Sequence, residues 1–218
     1  MSILDSLGVD NGSPGKEAGV AAGIVTNNRD PEQLGRVKIK FPWLSDDNET
    51  DWVRIASLMA GADRGSVFLP EVDDEVLVAF EHGDINYPFV IGALWNGTDK
   101  PPEGNTDGKN NIRKITSRSG HEIIFNDDDT AKQEKIEIHT NAGHKIVLDD
   151  SAGREKIEII DKTGGNKMTI DSVQNSIDIE SAVQLKIKAV TVEIEGTAEL
   201  TLKSNAIVTI QGLPVKIN

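Results

Sequence analysis

Gly120-His121-Glu122-Ile123-Ile124-Phe125-Asn126-Asp127-Asp128, followed by Lys135-Ile136-Glu137-Ile138, opens a pattern that the chain then repeats. The second copy is Gly143-His144-Lys145-Ile146-Val147-Leu148-Asp149-Asp150 with Lys156-Ile157-Glu158-Ile159. The third is Gly165-Asn166-Lys167-Met168-Thr169-Ile170-Asp171 with Ile177-Asp178-Ile179. The period is about 20 to 23 residues. Each copy holds two segments of alternating apolar and polar residues joined by an acidic turn, which predicts two strands per repeat and a repeat architecture rather than a globule.

Beyond the third copy the alternation continues with shorter turns. Val183, Leu185 and Ile187 lead to Val190, Val192 and Ile194, then Ala198, Leu200 and Leu202, then Ala206, Val208 and Ile210. The intervening residues are mostly Lys, Thr, Glu and Ser. Strict alternation gives a strand one buried face and one wet face.

A ribbon of this kind has no second layer of its own to cover the apolar row. Burying an aliphatic side chain is worth about 1.5–3 kcal/mol, while ordering a residue's backbone costs about 1–2 kcal/mol. An uncovered row is also a surface for aggregation. The pattern therefore predicts an intertwined homo-oligomer in which folding and assembly are one event. The side chains expected at its core are Ile136, Ile138, Ile146, Leu148, Ile157, Ile159, Met168, Ile170, Ile177, Ile179, Val192, Ile194, Val208 and Ile210.

The first half has a different composition. Seven of the eight prolines lie at or before Pro102, and the aromatic residues end at Phe125. Short segments rich in Val, Ile and aromatics, at Gly19 to Thr26, Arg36 to Phe41, Trp52 to Leu58, Glu75 to Phe80 and Phe89 to Trp95, are bounded by turn residues. That is the signature of strands, and five in about 80 residues predict a small barrel of the OB type. A polar stretch rich in Gly, Pro, Asn and Asp follows Trp95. The expected organisation is an N-terminal arm over 1–18, an OB barrel over 19–95, a linker over 96–112 and a β-structured needle over 113–218.

Composition removes several classes of function. The chain has 218 residues, a formal net charge of −13 and no cysteine. An acidic protein lacks the basic surface that phosphate neutralisation or docking on anionic lipid needs. Absence of cysteine removes disulfides, thiolate metal sites and a cysteine nucleophile. The start, Met1-Ser2-Ile3-Leu4-Asp5, shows no basic and apolar signal segment, so cytoplasmic synthesis is expected.

Gly23-Ile24-Val25-Thr26-Asn27-Asn28-Arg29-Asp30-Pro31-Glu32-Gln33-Leu34-Gly35-Arg36-Val37-Lys38-Ile39-Lys40-Phe41-Pro42-Trp43 resembles the opening of the baseplate assembly protein V and VgrG spike family. The likeness runs on through Asp51 to Ala56, Ala60 to Gly65, Leu69 to Phe80, His82-Gly83-Asp84, Pro88 to Gly92 and Trp95-Asn96-Gly97. It departs at Asp73, where glycine is expected before Asp74-Glu75-Val76. The resemblance implies an all-β chain, an OB barrel followed by an intertwined triple-stranded β-helix in a homotrimer. Its implied role is the puncturing spike of a contractile injection system: a phage tail, a type VI secretion system or a related particle. It further implies a separate hub at the N-terminal end and a PAAR-type tip protein on Gly212, Leu213, Pro214, Val215, Lys216, Ile217 and Asn218. Effector cargo is a further possible partner on the same grounds.

Candidate chemistry is sparse. Asp127-Asp128-Asp129 and Asp149-Asp150 lack the spacing of a calcium loop and fall at equivalent turns, so they read as solvated turns. His121 and His144 occupy one repeat position and share the parity of the apolar row. On a three-fold axis they would meet as a metal or anion site, but each follows glycine at a strand entry, and a turn role is preferred. Trp43, Trp52 and Trp95 lack the positive groove that stacking on single-stranded nucleic acid requires. No nucleotide loop or serine-hydrolase elbow is present, and no metal, cofactor or catalytic residue is expected. The alternatives are an envelope-degrading β-helical tailspike and an OB-type binder of single strands.

Overall fold

The computed structural model describes residues 19–44 and 48–217. The expected arm over 1–18, and Asn218, lie outside the described residues. The described residues are all-β apart from one short 3-10 turn, and the chain divides into two units, up to Asn110 and from Asn111 onward.

In the first unit β1 (Val20–Asn27), β2 (Lys38–Lys40), β3 (Arg54–Ile55), β6 (Glu75–Phe80) and β7 (Pro88–Ala93) form one sheet in the order β2-β1-β6-β7-β3. Its pairs are antiparallel except β3 with β7, where Arg54 lies beside Phe89 and Ile55 beside Val90. Just ahead of β2 and β3, Val37 and Val53 exchange both backbone hydrogen bonds, at 3.0 and 2.7 Å. That bridge turns the last strand back toward the first, giving the partly open, five-stranded OB pattern.

The core follows from alternation. In β6, Val76, Val78 and Phe80 are buried while Glu75, Leu77 and Ala79 are only half covered. They pack with Val25, Val37, Ile39, Phe41, Val53 and Val90. Phe41 stands 5.7 Å from Phe80 between ring centroids, a tilted aromatic contact that fills the middle of the barrel. A two-stranded hairpin, β4 (Ala60–Gly61) with β5 (Arg64–Gly65), projects between β3 and β6.

The second unit begins with seven strands: β8 (Ile112–Thr116), β9 (Glu122–Asn126), β10 (Lys135–His139), β11 (Lys145–Asp149), β12 (Lys156–Ile160), β13 (Asn166–Asp171) and β14 (Ser176–Ser181). Each pairs antiparallel with the next, so the sheet is a simple meander in sequence order. A winding β-helix is expected across all of 113–218, and this is not the arrangement of 112–181. The turns there are four to eight residues long, short enough to close hairpins within the chain. Residues 182–217 form no strand. Their backbone bends at 182–183, 190, 197–198, 205–206 and 213–214, a recurrence of about eight residues.

Candidate assembly surface

Register places the repeat's apolar residues in two straight rows on one face of the meander. The first row is Ile115, Ile123, Ile138, Ile146, Ile159, Met168 and Ile179, each directly opposite the next. The second is Phe125, Ile136, Leu148, Ile157, Ile170 and Ile177. Every core residue expected from the sequence between 136 and 179 falls in these rows. Among the described residues most of the two rows stays exposed: Ile138 is 41 % exposed, Ile159 52 % and Ile177 66 %, while Met168 and Ile170 are half-buried.

The opposite face is charged and better covered. Lys114 pairs with Glu122 at 2.7 Å, Lys135 with Glu137 at 3.2 Å, Lys156 with Glu158 at 3.1 Å and Lys167 with Glu180 at 3.0 Å. The Lys167 ammonium is held above its ordinary range by Glu180. These partly exposed pairs add little stability each.

Residues 182–217 carry two further apolar series in sequence. Leu185, Val192, Leu200, Val208 and Val215 recur every seven or eight residues, as do Ile187, Ile194, Leu202, Ile210 and Ile217. All are exposed in the single chain, including the expected core residues Val192, Ile194, Val208 and Ile210. Of the expected tip surface, Leu213 and Ile217 are almost wholly exposed and Val215 about half so.

The acidic clusters serve their own turns. Asp127 pairs with Arg113, the Asp128 carboxylate accepts the Ala131 N–H at 2.9 Å, and Asp149 accepts the Ser151 N–H at 2.9 Å. The two histidines do the same at the other end of the strands. Asn141 N–H donates to His121 Nδ1 and Lys162 N–H donates to His144 Nδ1, each at 3.2 Å. In the third copy Asn166 Oδ1 accepts the Ala182 N–H, also at 3.2 Å. One side chain per repeat thus fastens the next turn. In the ring form that accepts this bond at Nδ1, the proton sits on Nε2. Sequence reading located these histidines but missed this bond, whose only trace is the exchange of His for Asn at the third position.

In the first unit, Asp30 organises the loop between β1 and β2. Its carboxylate accepts Arg36 Nε at 2.9 Å and Nη2 at 2.8 Å, together with the N–H groups of Glu32 at 3.1 Å and Leu34 at 3.0 Å. The Arg36 guanidinium, and then these backbone donors, hold the carboxyl far below its ordinary range despite its burial. The aromatics of the nucleic-acid alternative are otherwise engaged or separate. Trp43 leans on Phe41 at 5.6 Å, Trp52 sits under Lys38 Nζ at 5.6 Å, and Trp95 is exposed. The hairpin region leaves Leu58, Val67 and Phe68 exposed beside Leu34.

Residues 21–95 match the family model of the type VI secretion system and phage-baseplate injector OB domain. The chain is 38 % identical over 82 residues to the type VI secretion system spike protein VgrG2a of Pseudomonas aeruginosa, covering 36 % of this chain and 10 % of that protein. It is 33 % identical over 116 residues to the spike protein VgrG3 of Vibrio cholerae, covering 50 % and 11 %. With VgrG1b of Pseudomonas aeruginosa the identity is 27 % over 144 residues, covering 60 % and 19 %. The chain therefore spans about a tenth to a fifth of the length of these relatives. Its barrel residues match the injector OB domain, and over that stretch and somewhat beyond it the chain is similar to VgrG-type spike proteins.

Proposed function

We propose that three copies of this chain form the central spike of a contractile injection system, a rigid needle that breaches a target envelope mechanically and performs no catalysis. The carrying observation is the largely exposed apolar face of the meander, two rows wide and seven strands long. The sequence of 182–217 sets out apolar rows of its own, and in this reading they continue the same axis along the stacking of the strands.

Geometry favours three. A strand of five residues is about 17 Å long, and apolar side chains reach about 5 Å from a sheet, half the usual 10 Å between packed sheets. Three such sheets facing an axis sit about 5 Å from it, and the side chains fill the middle. Four would sit about 8.5 Å away and leave a void. Over 182–217 the extended backbone has no strand partner in its own chain, and two further chains winding beside it supply one. That is the intertwined β-helix, confined to the C-terminal part.

In this reading 19–95 is the barrel, 96–112 the linker and 113–218 the needle. The barrel attaches to a separate hub, for which the exposed Leu58, Val67 and Phe68 offer an apolar surface. Residues 212–218 carry a PAAR-type tip. Synthesis is cytoplasmic and the particle delivers the spike outward. Sedimentation of the full chain is expected to give three times its 23.6 kDa mass, and a folded monomer at micromolar concentration would overturn the reading.

A further inference from the structure

A cavity of about 450 Å³ in the first unit lies between the segment 49–54 and the turn 81–88, and none of Leu58, Val67 and Phe68 lines it. Its floor belongs to the core: Phe41 and Val53 are buried, and Ile85 packs against the same cluster. Its walls are the aromatic residues Trp52, Tyr87 and Phe89. Tyr87 is 60 % exposed, and its own turn holds it in place. The Tyr87 N–H donates to Asp84 O at 3.0 Å, and Tyr87 O accepts the Glu81 N–H at 2.9 Å. That closure brings Tyr87 and Glu81 to the same cavity. Alternation about Val53 puts Trp52 and Arg54 on one side of their segment. The Arg54 guanidinium then stands 4.6 Å over the ring of Phe89, its neighbour across the β3–β7 pair.

The polar groups divide into engaged and free. Glu49 accepts Lys38 Nζ and Thr26 Oγ1, each at 2.8 Å. The Asp51 and Glu81 carboxylates make no hydrogen bond or ion pair among the described residues. We propose that this cavity is a carbohydrate-binding site that takes an uncharged pyranose unit. A pyranose has an apolar face of C–H groups and a rim of hydroxyls. Trp52 and Tyr87 offer broad apolar rings with a polar tip, which suit the face. Asp51, Glu81 and Arg54 suit the rim, because a charged partner makes the stronger hydrogen bond to a hydroxyl. The volume falls within the roughly 300–1,000 Å³ of small-molecule sites, which combine aromatic walls with a few placed polar groups.

Other ligand classes fit these residues less well. A nucleic acid would set its phosphates against Asp51 and Glu81, with Arg54 alone to offset them. A cationic ligand would find the Trp52 and Phe89 rings already facing Lys38 and Arg54. A wholly apolar ligand would strip water from two carboxylates and return no hydrogen bond to either. An uncharged sugar supplies hydroxyl donors to both carboxylates and acceptors to the guanidinium.

The test titrates the full chain with chitotriose and with maltotriose, uncharged sugars with and without N-acetyl groups, and with the cationic glucosamine trisaccharide. Calorimetry reads binding, together with tryptophan fluorescence in Trp95→Ala, a variant that removes an exposed tryptophan outside the cavity. Saturable binding of at least one uncharged trisaccharide is expected, with a dissociation constant on the order of 1 mM. Tyr87→Ala and Glu81→Gln change exposed positions and leave the core intact. They are expected to weaken binding about tenfold and about threefold, while Trp95→Ala binds as the wild type does. Absence of saturable binding by both uncharged sugars, tighter binding of the glucosamine trisaccharide, or undiminished binding in the Tyr87 and Glu81 variants overturns the site. None of these outcomes depends on the number of copies in the spike, which sedimentation reads separately.

Discussion

Ile138 of β10 lies directly opposite Ile146 of β11, and both remain about two-fifths exposed in the single chain. A cross-strand pair of β-branched residues stabilises a sheet modestly, by about 0.2–1 kcal/mol. Truncating either one therefore reports what covers it. Ile146→Ala in an isolated chain costs less than about 0.5 kcal/mol, the ordinary value for a surface substitution. In the proposed needle the same change empties part of a packed axis, and a loss of about 2–5 kcal/mol per chain is expected. Denaturant unfolding measures the difference. Ile146→Asp should abolish assembly, while Glu158→Gln on the charged face should leave it intact.

His144 and Asn166 hold the same place in successive repeats and accept the same kind of backbone N–H. His144→Asn is therefore expected to keep the turn at 161–165, while His144→Ala leaves the Lys162 N–H to water. The alanine change should cost up to about 1 kcal/mol, read by thermal unfolding, with asparagine recovering most of it. Equal losses in both variants would show that the ring's packing, and not its acceptor nitrogen, matters.

Legibility in the sequence tracked periodicity. Glu75–Phe80 reads as a strand, and in the structure Val76, Val78 and Phe80 are buried in alternation with half-covered residues. Trp52 to Leu58 reads as a strand of seven residues, yet β3 covers only Arg54–Ile55. Past it, Ser57 Oγ donates to Ser66 O at 2.8 Å and the chain leaves the sheet for the hairpin. That hairpin carries no alternation, and so no sequence signal. Likewise 182–217 reads as alternating segments with short turns but forms no strand, since alternation records a two-sided pattern and not whether a hydrogen-bonding partner lies alongside. The motif Asp30 to Val37 is recognisable in the sequence, but its cause, a carboxylate gathering the loop around itself, appears only in three dimensions.

Arg36 grips Asp30 with two nitrogens of one planar group, and lysine offers a single point charge. Arg36→Lys should lower the melting temperature of the barrel, and Asp30→Ala should lower it further, because the Glu32 and Leu34 N–H groups lose their acceptor as well. Assembly of the needle should be untouched, so sedimentation separates this loss from an effect on 112–217.

Asp73 stands where the family resemblance calls for glycine, and its backbone keeps the glycine conformation, with φ at +77°. An L-residue is strained there, though aspartate tolerates the region better than most. Its N–H still donates to Val25 O at 2.9 Å, fixing the turn into β6. Asp73→Gly should relieve strain and stabilise the barrel by less than about 1 kcal/mol, whereas Asp73→Val should destabilise it by more. Denaturation midpoints of the two variants are expected to move in opposite directions.

Asp161 sets an acid limit on the turn at 161–165. Its carboxyl is lowered to about 2, first by the hydrogen bond from Asn166 Nδ2 at 3.0 Å and then by Thr163 Oγ1 at 2.9 Å. A carboxyl lowered on folding contributes stability that is fully present above its unfolded value, about 3.9, and is lost as the pH falls through the folded value. Wild type and Asp161→Ala should therefore differ most above pH 4 and converge as the pH drops toward 2. The sign follows from the bonds: protonation removes the charge that Asn166 and Thr163 favour, leaving the turn at 161–165 no better held than in the alanine variant. Urea unfolding at a series of pH values checks this. A gap that stays constant down to pH 2 would mean that the side chain acts through its shape and not its charge.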